Sequence, residues 1–243
     1  MKKFIALLLA VMMVLSLAAC GKKAESTDPN AKSEGVMTFD EFMAAEEGSR
    51  VTVEAFVQGH QTWWDGKISV YAQDGDGGYF FYDMACAEAD VEKLVPGTKI
   101  KVTGDKAVWS GEVEIMDGTF EFVDGSYVAP ALNINSILGT AELESHMNQF
   151  ITVTGATVVD KGDGHAFFYN WDNSGEDGNC DLYFDVEVNG AVYTFVARRY
   201  LTVPGSDMYE AVKNLKVGDT VDIEGFLYWY EGPQPHITSV VVK

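Results

Sequence analysis

The chain has 243 residues, 47% of them hydrophobic, with 17 Lys and Arg against 37 Asp and Glu, a formal net charge of −20. This length allows one or two domains with substantial hydrophobic cores. Because an acidic surface repels phosphate groups, the composition predicts no nucleic-acid partner and no adhesion to anionic lipid headgroups.

Residues 1–19 have the three regions of a secretory signal peptide. Lys2 and Lys3 are followed by an uncharged run, and residues 17–20 read LAAC. This tetrapeptide resembles the lipobox of bacterial lipoproteins. The resemblance implies cleavage before Cys20, a diacylglycerol on its sulfur and an acyl chain such as palmitate on its amine. Two or three chains would anchor the protein stably to the extracytoplasmic face of the cell membrane.

Residues 20–35 are rich in small, polar and charged side chains, which is typical of a flexible tether. The first predicted domain follows, at residues 36–128. It begins with an amphipathic helix at residues 38–48, in which Thr38 and Glu41 have the spacing of a capping box.

Alternation of apolar and polar residues in this domain predicts three strands, a short helix and two further strands. The order resembles the OB-fold, a Greek-key barrel of five strands with a helix between strands three and four. The predicted strands are residues 51–57, 67–73, 79–83, 98–108 and 112–122, and the helix is residues 88–94.

A short linker at residues 129–135 leads to a second domain at residues 136–243, and its length favours contact between the two domains. Asn189 and Gly190 predict a tight hairpin, because both tolerate positive φ. The predicted helices are residues 141–147 and 206–215, and the predicted strands are residues 150–159, 165–171, 182–188, 191–197, 219–229 and 236–242.

The two domains have the signature of an internal duplication. Residues 94–104 (LVPGTKIKVTG) return as residues 215–225 (LKVGDTVDIEG), with the glycines and alternating apolar positions in step. A repeat at fixed spacing indicates two copies of one structural unit. We therefore expect an all-β fold with short helices, made of two tandem five-stranded OB-fold-like Greek-key barrels.

Aromatic residues give the best indication of a binding site. Trp63 and Trp64 lie between strands one and two of the first barrel, and Trp109 lies at its turn between strands four and five. Trp229 and Tyr230 occupy the equivalent turn of the second barrel. In OB-folds these loops flank the ligand face, so the five side chains are candidates for stacking on a sugar, base or peptide, and the acidic charge makes a base the least favoured of the three. Alternatively the rings pack inward; adjacent rings point to opposite faces, so one of each pair belongs to a core.

Enzyme signatures are absent from the sequence, which has no Gly-x-Ser-x-Gly, no Walker loop, no His-Glu-x-x-His and no Cys-x-x-Cys. No two of the many carboxylates stand out as a catalytic pair. We predict a protein that is not an enzyme and needs no cofactor. The histidines are scattered and expected at the surface or at barrel rims: His60, His146, His165 and His236.

Two acidic, Gly-rich loops contain oxygen ligands of the kind that calcium binds, at residues 74–76 and 172–177. Neither has the EF-hand pattern, and the same residue types form ordinary hairpin turns, so no metal ligand is assigned. Arg198 and Arg199 form the only adjacent arginine pair. They either pair with local carboxylates or receive the carboxylate of a ligand.

Beyond Cys20, the chain has one cysteine in each repeat, Cys86 and Cys180. An exported pair can oxidise, but two separate buried thiols are equally consistent with the sequence.

The lipobox and the two barrels together resemble exported lipoproteins of Gram-positive bacteria with tandem OB-fold-like domains. Since a fold does not determine a function, three hypotheses remain open. The first is a lipid-anchored, non-catalytic binding or adaptor protein that holds a cell-surface protein or glycan. The second is a calcium-dependent surface protein that uses the acidic turns. The third is a hydrolase of cell-wall glycans.

Overall fold

A computed structural model describes residues 28–243, so the predicted signal peptide and the predicted lipidation site Cys20 lie outside the described residues. Among the described residues, no helix is long and apolar enough to cross a membrane. The first half contains helix α1 (Phe39–Ala44), strands β1 (Arg50–His60), β2 (Lys67–Gln73), β3 (Gly78–Ala85), β4 (Thr98–Trp109) and β5 (Glu112–Ser126), and a 3₁₀ helix at Glu88–Lys93.

The second half has seven strands and two short helices. They are β6 (Leu132–Asn133), a 3₁₀ helix at Ala141–His146, β7 (Phe150–Val158), β8 (Phe167–Tyr169), β9 (Leu182–Val188), β10 (Ala191–Ala197), helix α2 (Asp207–Lys213), β11 (Thr220–Phe226) and β12 (His236–Val242).

The first five strands form a closed barrel in the order β1-β2-β3-β5-β4. Strands β3 and β5 pair in parallel, and β1 and β4 close the barrel in antiparallel pairing. With a helix between β3 and β4, this is the topology of the OB-fold. Apolar residues at alternate positions of the strands fill the interior, among them Val51, Val53, Ile100 and Val102.

The second barrel has the same topology, built from β7, β9, β10, β11 and β12. Its sheet runs β7-β11-β12-β10-β9, and pairing of β7 with β9 closes it. Strands β10 and β12 pair in parallel, as β3 and β5 do in the first barrel. The predicted fold class, two tandem five-stranded OB-fold-like barrels with few short helices, is confirmed.

The predicted strand at residues 165–171 is not a barrel strand. Only the three residues of β8 pair with a barrel strand, and they add to the edge of β9. The β9–β10 hairpin supplies the second and third barrel strands instead. Its turn residues Asn189 and Gly190 have φ of 55° and 82°, as the Asn-Gly sequence predicts.

The predicted helices form, but several are shorter or tighter than the sequence suggests. The capping box of α1 is present, with Thr38 Oγ1 accepting from the Glu41 N–H and the Glu41 carboxylate accepting from the Thr38 N–H. The predicted helices at residues 88–94 and 141–147 are single 3₁₀ segments. Neither segment has a side-chain hydrogen bond at its N-cap, whereas α1, also six residues long, has its capping box.

One pair of equivalent positions differs sharply between the barrels. In the first, Arg50 faces Asp105 across β1 and β4, and the two side chains form an ion pair at 3.1 Å. In the second, the corresponding residues are Phe150 and Phe226, which face each other across β7 and β11. Phe226 is buried and packs against the first barrel. Where the first barrel has an ion pair, the second therefore has two aromatic rings that pack at the contact between the barrels.

Residues 28–35, the last part of the predicted tether, lie against the first barrel. Lys32 Nζ donates to Asp74 Oδ2 at 2.5 Å and to the Glu54 carbonyl at 2.7 Å. The Ser33 N–H donates to Glu54 Oε2 at 3.2 Å. These contacts fix the segment to the barrel, whereas its composition predicts a free tether.

Asp74 is completely buried and is the acceptor on which this segment depends. Its carboxylate accepts from the N–H groups of Asp76 and Gly77, both at 2.8 Å, and from Tyr79 Oη at 2.7 Å. With the Lys32 ammonium, four donors converge on one carboxylate. Such charge-assisted bonds offset the cost of burying both charges.

We predict that Asp74→Ala lowers the free energy of unfolding by about 3–5 kcal/mol, because it leaves the buried Lys32 ammonium without a counter-charge. Asp76→Ala changes an exposed residue of the same turn and should cost less than about 1 kcal/mol. Urea denaturation followed by circular dichroism measures both variants. Equal losses in the two variants would contradict this role of Asp74.

Candidate ligand-binding cleft between the barrels

The two barrels meet at a buried aromatic cluster, hereafter the junction. Its centre is the ring of Tyr71 from β2, stacked on Phe226 from β11 with centroids 4.3 Å apart and an angle of 6° between the ring planes. Phe80 completes the buried set. Stacked rings of this kind add to the stabilisation that comes from burying their area.

A hydrogen-bonded chain crosses the junction beside these rings. Gln61 Nε2 donates to Tyr71 Oη at 3.0 Å, and Tyr71 Oη contacts His236 Nδ1 at 2.7 Å. Burial, with the nearby Arg198 charge, lowers the pKa of His236 well below its usual range. The imidazole is therefore neutral, and a hydrogen bond joins its Nδ1 to the Tyr71 hydroxyl.

Of the two positions expected for His236, the surface is wrong, because this residue is buried between the barrels at the end of a barrel strand. It begins β12, and its ring also stacks on Tyr228 with centroids 4.1 Å apart.

Next to the junction, a cleft of about 410 Å³ opens between the barrels. The first barrel contributes residues 61–64 of the β1–β2 loop, the start of β2 and the end of β3. The second barrel contributes Arg198 and Tyr200. The Thr62 N–H donates to the Tyr200 carbonyl at 2.6 Å and links the two walls. The volume and mixed lining are those of a small-ligand site.

Trp63 and Trp64, both predicted site residues, line the cleft in different ways. Trp63 packs against the core of the first barrel, and its Nε1 donates to the Cys86 carbonyl at 2.9 Å. Trp64 is 80% exposed. The prediction that adjacent rings point to opposite faces holds here, with Trp63 as a wall of the cleft and Trp64 free to contact a ligand.

Polar groups of the cleft combine donors and acceptors. Lys67 Nζ lies 3.7 Å from Asp83 Oδ2, and both side chains are about half exposed, so this ion pair is loose. Burial, and then the neighbouring Asp83 and Glu114 carboxylates, raise the pKa of Tyr82. Its hydroxyl thus stays protonated. The cleft can both donate to and accept from a ligand rich in hydroxyl groups.

The arginine pair is engaged by groups of the protein itself. Arg198 Nη1 donates to Asp181 Oδ2 at 2.6 Å. Arg199 Nη1 donates to the carbonyl and side chain of Asn179, and its guanidinium lies over the Tyr200 ring, 4.5 Å from the centroid. Arg198 thus pairs with a local carboxylate, which is one of the two alternatives from the sequence, whereas the Arg199 side chain binds Asn179 and Tyr200 instead.

The other three predicted site residues lie elsewhere. Trp109 is exposed at the end of β4, while Trp229 packs against the second core and Tyr230 is half-exposed. The two turns that carry them touch, because the Glu231 N–H donates to the Ser110 carbonyl at 2.7 Å. Within the described part of the chain, none of the three lines the cleft. The structure therefore separates the five aromatics into two groups.

The two acidic loops are satisfied from within the protein. Asp74 takes the Lys32 ammonium, as described above, and Asp177 pairs with Lys213 at 2.8 Å. Between residues 28 and 243, no group of three or more His, Cys, Asp or Glu side chains could hold a metal ion. The loops therefore give no support to the calcium hypothesis.

Cys86 and Cys180 are both free and buried, one in each half of the chain. Sequence reasoning missed two further buried residues, Glu112 and Glu114, which lie on one face of β5 at the junction. Burial raises the pKa of Glu114 to about 7, and the Asp83 carboxylate adds to this shift. Neither glutamate is among the described residues that line the cleft. They do not form the accessible carboxylate pair that a glycan hydrolase requires.

The fold and the cleft define a protein of two OB-fold-like barrels in tandem. The sequence matches no protein-family model, and no curated relative is detected. Similar solved structures include the p204 HINb domain, 12% identical with a TM-score of 0.37, where the match covers 82% of this chain and all of that one. The Ifi202 HINa domain in complex with a 20-base-pair double-stranded DNA is 13% identical with a TM-score of 0.35, covering 80% and 98%.

A third similar structure is a deletion mutant of the single-stranded DNA-binding protein from Thermus aquaticus. It is 12% identical with a TM-score of 0.29, and the match covers 81% of this chain and 95% of that one. At such identities the similarity concerns the fold alone, and at such TM-scores it says nothing of what this chain binds.

The prediction of no nucleic-acid partner is contradicted, because this kind of fold occurs in proteins named for DNA binding; the similarity does not assign DNA to this chain. The physical reason is that net charge is a sum over the whole surface, whereas binding depends on the charge of the local surface that meets the ligand. In the cleft, for example, Lys67 and Arg198 are each balanced by one carboxylate, although the chain as a whole is strongly acidic. The exclusion is therefore withdrawn.

We predict that substitution of the two cleft tryptophans has unequal effects on stability. Trp63→Ala removes a packed ring and its hydrogen bond and should lower the free energy of unfolding by about 3–5 kcal/mol. Trp64→Ala removes a mostly exposed ring and should change it by less than about 0.5 kcal/mol. Thermal and urea unfolding test both. A large loss for Trp64→Ala would show that this ring is structural.

Proposed function

We propose that this protein is a lipid-anchored, extracytoplasmic, non-catalytic binding protein that holds a glycan in the cleft between its barrels. The observation that carries the proposal is the position of the cleft. It is formed by the β1–β2 loop and by β2 and β3 of the first barrel, which is the face that OB-folds use to bind oligonucleotides and oligosaccharides.

The surface chemistry of the cleft favours a neutral, hydroxylated ligand. Trp64 and Tyr82 present exposed ring faces, on which the apolar face of a sugar can stack. The charges are balanced locally, since Arg198 pairs with Asp181 and Lys67 with Asp83. Exposed, loosely paired side chains can exchange their ion pair for hydrogen bonds to hydroxyl groups at little cost.

The proposed location comes from the sequence of residues 1–20. A basic start, an uncharged run and the LAAC tetrapeptide are the features of a lipoprotein signal, with Cys20 as the lipidated residue. At the cell surface, the acidic barrels would be repelled by anionic headgroups, which keeps the cleft accessible to soluble or wall-bound glycans.

We predict that Trp64→Ala weakens glycan binding about 30-fold, or ~2 kcal/mol, without a change in melting temperature, because the ring is a contact surface and not a core element. Trp171→Ala is the matched control, since Trp171 is 74% exposed but lies outside the cleft. Isothermal titration with soluble peptidoglycan fragments and short neutral oligosaccharides measures both variants.

Three results of that titration would contradict the glycan proposal. One is equal weakening by Trp64→Ala and Trp171→Ala, and another is the absence of binding to any oligosaccharide. The third is binding of an oligonucleotide or an unglycosylated peptide in the cleft with the Trp64 dependence described, which would assign the site to that ligand class instead.

The anchor has a separate test. In cells, Cys20→Ala should move the protein from the membrane fraction to the medium or the soluble exported fraction, because it removes the sulfur that carries diacylglycerol. Metabolic labelling with a palmitate analogue should mark the wild type and not the variant. Retention of the variant in the membrane fraction would show that another element holds it there.

A further inference from the structure

The junction contains a carboxyl group, that of Glu112, with fewer hydrogen-bond donors around it than an ionised carboxylate needs. Glu112, the first residue of β5, is completely buried. Its Oε2 accepts the Trp229 N–H at 2.8 Å, which links the two barrels. Its Oε1 has no hydrogen-bond partner among residues 28–243. An ionised carboxylate with an empty oxygen in such a place would cost several kcal/mol.

A second acceptor without a donor comes from the opposite barrel. The side chain of Asn148 is buried and interacts with the Glu112 carboxyl. Its Nδ2 donates to the Val113 carbonyl at 3.1 Å, while its Oδ1 has no partner within the described chain. When Glu112 is ionised, the Asn148 amide acts on it as a donor; a proton on Glu112 would instead supply a donor for the free amide oxygen.

We propose that Glu112 is held as the neutral acid, that its O–H donates to the free oxygen of Asn148 across the junction, and that loss of this proton weakens the contact between the barrels. The consequence for the cleft rests on the proposed function, because both walls of the cleft depend on that contact.

The electrostatic surroundings support a neutral acid. Burial raises the pKa of Glu112 to about 8, and the nearby Glu114 carboxylate adds to the effect, whereas hydrogen bonds from Asn148 and from the Trp229 backbone lower it. The other titratable groups facing Glu112 are Tyr71 from β2 and Tyr228 from the β11–β12 loop.

Neither of these tyrosines carries a charge that acts on Glu112. Burial raises the pKa of both Tyr71 and Tyr228, so they are neutral. The positive charge of Arg198 acts on these two tyrosines and on His236, and it is paired with Asp181. No cation of the described chain is among the groups that shift the Glu112 carboxyl.

The direction of the pH effect follows from the raised pKa. Once the junction opens, Glu112 is solvated and ionises near its ordinary value of 4.5, whereas in the closed junction it ionises near 8. The closed state is therefore favoured most below about pH 4.5. Between that pH and about pH 8, the equilibrium constant for closing the junction falls about tenfold per pH unit. Above that value the dependence levels off.

Hydrogen exchange of the full, lipidated protein in detergent tests the proposal. At pH 7 and pH 9, with exchange times scaled for the intrinsic rate, the amide protection of Trp229 in the wild type should fall about tenfold. In Glu112→Gln it should not fall, because the neutral amide keeps a donor for Asn148 at both pH values. Equal behaviour of the wild type and this variant would overturn the proposal.

Glu114→Gln is the control, because Glu114 is the other buried acid of β5 and its pKa is raised only to about 7. The protection should still fall in this variant, by less than in the wild type because the Glu114 charge helps to raise the Glu112 pKa, and a complete loss of the change would assign the effect to Glu114 instead. A second measurement does not depend on any variant folding. The ¹³C signal of the Glu112 carboxyl should titrate with a midpoint near pH 8, and a midpoint near 4.5 would refute the proposal.

The effect on the cleft is measured with the same oligosaccharide that binds at pH 7. Its affinity should fall between pH 7 and pH 9 in the wild type and stay constant in Glu112→Gln. If no oligosaccharide binds at pH 7, the proposed function fails while the exchange and ¹³C results still decide the state of Glu112. If the oligosaccharide binds equally at both pH values in the wild type, the junction does not control the cleft.

Discussion

The contact between Tyr71 and Phe226 is the interaction on which the arrangement of this protein depends. The Tyr71 ring fills the junction, and its hydroxyl joins Gln61 of the cleft to His236 at the start of β12. One side chain therefore fixes the packing of the barrels and the position of one cleft wall. Because the group is fully buried, a shift of either barrel would break hydrogen bonds that no water replaces. The geometry of the cleft therefore depends on how the two barrels are packed.

Much of the fold could be predicted from the sequence, because barrel strands with one buried face alternate in polarity. The ranges 67–73, 182–188, 191–197 and 236–242 agree with β2, β9, β10 and β12 at both ends. The strand assigned to residues 165–171 failed for a physical reason. A run of aromatic residues shows that a segment can be extended, but it does not show which strand is its partner, and only three of these residues pair with β9.

The site was less predictable, because its chemistry comes from contacts between distant parts of the chain. The loop position of Trp63 and Trp64 followed from the barrel topology. By contrast, Tyr71 and His236 are 165 residues apart, and no local pattern marks either residue as buried at an interface. The free oxygens of Glu112 and Asn148 likewise exist only once the barrels are packed. Net charge misled for the same reason, since it averages over surfaces that the fold keeps separate.

The replacement of Arg50 and Asp105 by Phe150 and Phe226 has a consequence for assembly. A contact between unlike faces of two similar units can be repeated by a third unit, and open filaments result when nothing stops it. In the first barrel, the positions that would offer the next stacking surface carry an ion pair, which is costly to strip of water. At these positions the first barrel therefore lacks the aromatic surface with which the second barrel packs against its neighbour.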